Sequence, residues 1–208
     1  MKIRLFVICF FVFVPLLKAQ KVVQKTILSP NNQIVLVDTK DCYKVELQTS
    51  ISKEILVEAN IEGQYHKNIV VKVEEDGVNL LVGIEFLPSI AKQNDKLSAH
   101  KIIPSIGLKI FMPEHIDATV FGTNSTVVAS GKFKNLKVIL ADGNCTVKNV
   151  SETVNVQTQK GDIHVFTNTG DIEAKSIYGA VKLLKLPKGD SVYKLASIEG
   201  NIYVNKTE

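Results

Sequence analysis

The stretch GDIHVFTNTGDIEAKSIYGAVKL, from Gly161 to Leu183, decides the fold, because one five-residue figure recurs in it at steps of nine. Gly161-Asp-Ile-His-Val165, Gly170-Asp-Ile-Glu-Ala174 and Gly179-Ala-Val-Lys-Leu183 share a leading glycine and apolar residues two and four places on. The figure extends both ways. Gly143-Asn-Cys-Thr-Val147 lies two steps upstream, with Val154 and Val156 filling the gap, and Gly200-Asn-Ile-Tyr-Val204 lies downstream. Strand side chains alternate between faces, so Cys145, Val147, Ile163, Val165, Ile172, Ala174, Val181, Leu183, Ile202 and Val204 form one set expected inside. Thr146, His164, Glu173, Lys182 and Tyr203 fall between them and are expected outside. Gly189 departs from the figure: Ser191 stands where an isoleucine belongs, and Val192 restores the pattern with a slip of one.

A fixed short period marks stacked units, each too small to bury its own face. Two such units make a coil of roughly 18 to 20 residues, so 113–208 is expected to form a short right-handed parallel β-solenoid of about five coils. Gly143, Gly161, Gly170, Gly179 and Gly200 are expected at the corners, where glycine accepts positive φ and a neighbouring Asp or Asn hydrogen-bonds the turn. Upstream, Ile34 to Val37, Tyr43 to Leu47, Ile55 to Ala59, Ile69 to Val73, Val78 to Ile84 and Ile106 to Phe111 are apolar runs separated by polar turns. They predict an antiparallel, sandwich-like sheet domain over 20–112, and the whole chain reads as all-β. The proline-bounded segment from Pro88 to Pro104 is expected as a long hairpin loop.

The first residues read as an export signal. Lys2 and Arg4 precede the apolar run from Leu5 to Leu17, and Leu17-Lys18-Ala19 offers a cleavage site, so 1–19 is expected to be removed. The run is shorter than the roughly 20 apolar residues of a membrane span, so no transmembrane anchor is expected after removal. The expected locations are the periplasm, the cell surface or the extracellular space. The remaining chain carries 22 basic and 21 acidic residues, no Arg and no Trp. That balance argues against nucleic acid as a partner, which calls for a strongly basic face. Cys42 and Cys145 remain, and their pairing is left open, since a chain this long buries roughly 70% of its unfolded surface without disulfides.

No motif supplies chemistry. Gly131-Lys132 lacks the spacing and the Ser or Thr of a phosphate loop. Asp142, Asp162, Asp171 and Asp190 flank turn glycines but lack the calcium-binding nonapeptide signature. His66, His100, His115 and His164 show no zinc spacing, so neither a metal nor another cofactor is expected. Tyr178, Tyr193 and Tyr203 suggest a carbohydrate-contacting face. The outward positions His164, Glu173, Lys182 and Tyr203 are the candidate binding face.

The glycine-led ladder, the preceding β-rich half ending in Lys-Ile-Phe-Met-Pro113, and the export signal together resemble the bacterial adhesin-like β-solenoid proteins of the auto-transporter adhesin head type. The resemblance implies a non-enzymatic envelope or surface module that binds an envelope protein or a glycan. An envelope-stress partner and a polysaccharide-processing β-helix are the alternative readings.

Overall fold

Alternating apolar residues, many of them β-branched, favour extended chain that rests one face on a core. The computed structural model describes residues 20–28, 34–62, 69–87, 105–150 and 152–207, and every described element is a strand. The expected signal (1–19) and the expected loop from Pro88 to Pro104 lie outside the described residues. The first seven strands are β1 (Gln20–Leu28), β2 (Ile34–Asp38), β3 (Lys44–Ser50), β4 (Glu54–Glu62), β5 (Ile69–Asp76), β6 (Asn79–Phe86) and β7 (Ser105–Pro113). They are followed by β8 (Ile116–Gly122), β9 (Thr126–Ser130), β10 (Phe133–Leu140), β11 (Cys145–Lys148) and β12 (Thr153–Thr158). The last five are β13 (Ile163–Phe166), β14 (Asp171–Ser176), β15 (Val181–Leu183), β16 (Val192–Ser197) and β17 (Ile202–Asn205).

Two mixed sheets result. Sheet A runs β1-β4-β7-β3-β9-β11-β13-β17-β15 and sheet B runs β14-β16-β12-β10-β8-β2-β6-β5. From β7 and β6 onward all neighbours are parallel, whereas β1–β4, β4–β7 and β5–β6 are antiparallel at one end. From β6 onward consecutive strands alternate between the sheets, so a pair such as β8 and β9 forms one layer. From end to end the layers are β6/β7, β2/β3, β8/β9, β10/β11, β12/β13, β16/β17 and β14/β15. The sequence order is thus broken twice: β2/β3 lies inside β6/β7, and the C-terminal β16/β17 lies inside β14/β15.

The register explains the core. In sheet A, Val45, Val127, Cys145, Ile163, Ile202 and Val181 are aligned, as are Leu47, Ala129, Val147, Val165, Val204 and Leu183. Sheet B aligns Val35, Ala118, Leu136, Val154, Tyr193 and Ile172, and beside them Val37, Val120, Val138, Val156, Leu195 and Ala174. One continuous cluster joins these rows as far as β17 in sheet A and β14 in sheet B, and each fully buried Val, Ile or Leu contributes roughly 1.5–3 kcal/mol.

Four of the expected corner glycines stack in one column, in the order Gly143, Gly161, Gly200, Gly179. A Cβ on Gly161 would overlap the Gly143 carbonyl oxygen, one on Gly200 that of Gly161, and one on Gly179 that of Gly200. None of these four has positive φ, so close approach of backbones, and not handedness, requires glycine here. Gly170 stands at another corner, where a Cβ would come within 2.8 Å of the Tyr193 ring. The residues after the column glycines lock the layers: the Asp162 N–H donates to Asn144 Oδ1 (2.8 Å), the Asn201 N–H to Asp162 Oδ1 (2.7 Å) and the Ala180 N–H to Asn201 Oδ1 (2.9 Å).

Three expectations need correction. Antiparallel pairing holds for β1–β4, β4–β7 and β5–β6, but β2 and β3 pair in parallel with β6, β7, β8 and β9, because each presents one edge to either side of the stack. Both sheets therefore cross Pro113, and the segments 20–112 and 113–208 share one core. The slip after Gly189 also falls one residue later than expected. Val192 points outward, and Tyr193 takes the inward place at 1% exposure, its hydroxyl donating to the Val150 carbonyl at 2.5 Å.

Candidate binding face

Of the four candidate face residues, three meet. His164, Tyr203 and Lys182 are aligned neighbours on β13, β17 and β15, on the outer face of sheet A. The His164 and Tyr203 rings stack with centroids 4.8 Å apart and planes 11° from parallel. The Lys182 ammonium lies 5.5 Å from the Tyr203 centroid, within cation–π range. Because the rings repeat along the strand-to-strand direction, their faces cover one another. In the adjacent row Lys148 lies 6.0 Å from the Phe166 centroid, and farther along sheet A Lys109 lies 4.8 Å from that of Phe111. On β11, β13, β17 and β15 the result is a short strip of three aromatic rings and two ammonium groups.

Glu173 does not join it. It sits on β14 in sheet B, aligned with Lys194 on the opposite outer face. The tyrosine trio also separates: Tyr193 is buried, Tyr178 is 80% exposed at a corner, and Tyr203 alone belongs to the strip. The turn aspartates serve different ends, with Asp162 in the locking column and Asp142, Asp171 and Asp190 exposed and apart. His115 pairs with Glu152 at 2.7 Å on the exposed surface. Among the described residues no group of three or more His, Cys, Asp or Glu could hold a metal ion.

Cys42 and Cys145 are free and buried. Burial, aided at Cys42 by Asp41 and Asp38, pushes both thiols up to about 12 from an ordinary 9.0. Raised folded values mean that the stability held by the neutral thiols is complete below about pH 9 and is lost as the pH climbs toward 12. Denaturation midpoints measured from pH 7 to 11 are expected to fall along that limb, and a thiol reagent at neutral pH is expected to label the protein only on unfolding.

Sequence reasoning missed a second concavity. A groove of about 520 Å³ on the outside of sheet B is lined by Ile139, Ile177, Ile198, Ala196, Gln157 and Lys175, among others. Its signal was present in the exposed outward isoleucine of the Lys-Val-Ile-Leu140 strand, where a solvated sheet face ordinarily carries a polar residue.

The fold is that of an all-β protein of two mixed sheets, and it has a counterpart among solved structures. The chain resembles a "putative cell adhesion protein" from Clostridium sporogenes with a TM-score of 0.63 and 14% identity, over 90% of this chain and 100% of that one. A "putative adhesin" from Bacteroides fragilis matches at 10% identity over 90% of this chain and 97% of that one, with a TM-score of 0.38. A "putative lipid binding protein" from Parabacteroides distasonis matches at 14% identity over 90% and 97%, with a TM-score of 0.27. At such identities the likeness speaks for the fold alone, and the two weaker matches carry no argument. No protein-family model and no curated protein matches the chain.

Proposed function

We propose that the protein is an exported, non-enzymatic, adhesin-like binding module whose stacked layers are the turns of a short right-handed β-solenoid. Its contact face is the strip of His164, Tyr203, Lys182, Lys148 and Phe166, and its ligand is an anionic glycan or an acidic envelope protein. The observation that carries this reading is the stacked His164–Tyr203 pair with the Lys182 ammonium beside it, a half-buried arrangement on the outer face of sheet A that no packing need of the core explains. Export rests on the signal pattern of Met1 to Ala19, which places the protein in the periplasm, at the cell surface or outside the cell.

The test is retention of the chain from Gln20 on immobilised envelope proteins and acidic glycans. Tyr203→Ala and Lys182→Ala are each expected to weaken binding about tenfold or more, the loss of roughly 1.4 kcal/mol or more of contact energy. Lys137→Ala, on the opposite sheet, is expected to leave retention unchanged. Equal retention of all three variants would remove the strip from consideration.

A further inference from the structure

Among the described residues, no strand covers the last layer of the stack, β14 and β15. Along the inward rows every aligned member ahead of the last layer is at most 3% exposed, but Val181 is 38% and Leu183 49% exposed, and Ile172 and Ala174 are only partly buried. Leu184 adjoins them at 50% exposure. Stacked-repeat proteins ordinarily finish on a polar cap that keeps the end of the core dry. Here the last layer is apolar inside and open along its edge. The locking column also stops there, since Ala180 occupies the place of Asn144, Asp162 and Asn201 and offers no side-chain oxygen to a further layer of the same chain.

The open edge of β14 has a definite hydrogen-bonding phase. The Asp171 and Ile177 amides donate to the Ser191 and Ser197 carbonyls beside β16. By alternation the amide and carbonyl groups of Ile172, Ala174 and Ser176 face outward without a strand to meet. A second β14 can pair antiparallel only in registers that set these outward residues opposite one another. Setting Ala174 opposite Ile172 places Glu173 against Glu173, and setting Ala174 opposite Ser176 places Lys175 against Lys175. With Ala174 opposite Ala174, Ile172 meets Ser176 and Glu173 meets Lys175 twice. That register engages the whole strand, and its Glu–Lys positions are the non-hydrogen-bonded ones, where opposed side chains lie closest.

We infer that two copies of this chain join end to end through β14, antiparallel about a two-fold axis at Ala174, covering the apolar last layer with its own mate. A two-fold interface needs a self-complementary surface, and the Asp171-Ile-Glu-Ala-Lys-Ser176 strand is one. Head-to-tail stacking fits less well. The edges at the far end are β1, nine residues long, and β5, eight residues long, against six for β14 and three for β15, so long stretches of backbone would stay unpaired.

The experiment is sedimentation equilibrium of the chain from Gln20 across a concentration series, with thermal melting of each variant as a folding check. The wild type is expected to sediment as a dimer that dissociates on dilution. Glu173→Lys and Lys175→Glu, both at exposed positions, are each expected to give monomers with unchanged folds, and the double variant Glu173→Lys/Lys175→Glu is expected to restore the dimer. Hydrogen exchange at the amides of Ile172, Ala174 and Ser176 is expected to slow only where the dimer is populated. A wild type that stays monomeric throughout, or a dimer indifferent to either single charge reversal, would overturn the inference.

Discussion

Cys145→Asp is expected to lower the melting midpoint by on the order of 10 °C or more at pH 7, the largest loss of any single change in the ladder. Cys145 is 0% exposed and is aligned between Val127 and Ile163, and no cation lies in its rows. A carboxylate there has no partner, and an uncompensated buried charge costs about 3–5 kcal/mol. The penalty has a pH signature. The folded state would hold the new carboxyl far above its unfolded value of about 3.9, so its stability is whole below that pH and is lost as pH rises through the neutral range. Melting measured at pH 4 and pH 7 is therefore expected to show the deficit shrinking in acid, while Cys145→Val stays close to wild type at both. Wild-type melting of Cys145→Asp at pH 7 would refute the inward register of β11.

Gly161→Ala is expected to cost at least about 3 kcal/mol, for a reason that owes nothing to conformational entropy. The added methyl would occupy the place of the Gly143 carbonyl oxygen and crowd the Asn144 amide at 3.0 Å. These are backbone atoms held by layer-to-layer hydrogen bonds, so the layers must part. Parting them loosens both the Cys145 N–H bond to the Asp162 carbonyl and the Asp162 N–H bond to Asn144, each contributing about 1 kcal/mol. The control is Gly83→Ala, where the nearest atoms would lie at an ordinary 3.6 Å and the midpoint is expected to hold within about 2 °C. Equal melting of the two variants would mean that the glycine column is not close-packed.

Much of this architecture was readable in the repeat. The Gly-Asx figure marks the corner column, because glycine alone clears the carbonyl of the layer below and the Asx oxygen accepts the amide of the layer above. The two apolar positions that follow it mark the inward rows. The order of the layers was not readable, since stacking parallel strands depends on shape between distant segments and not on a local pattern. Ala180 does carry a faint sign of it: the figure drops its Asp or Asn in the layer that is last in space though not last in sequence. Tyr193 was grouped with the outward tyrosines because its strand follows Ser191 without a glycine-led figure, and Gly170, read as one corner among several, also provides the clearance for that ring. Of the face residues, His164, Lys182 and Tyr203 were found by outward parity alone. Glu173 was grouped with them because parity says which side of a sheet a residue takes, not which sheet it belongs to.

The interleaving of β16/β17 between β12/β13 and β14/β15 separates the order of synthesis from the order of assembly. A ribosome delivers β14 and β15 first, but the surface they rest on is made of β16 and β17, which follow them in the chain. A nascent chain, or one still passing through a channel, holds Asp171 to Leu183 with no template beside them. The stack can be finished only after β16 and β17 are made, so a chain cut before Val192 loses the template for β14 and β15 as well as β16 and β17 themselves.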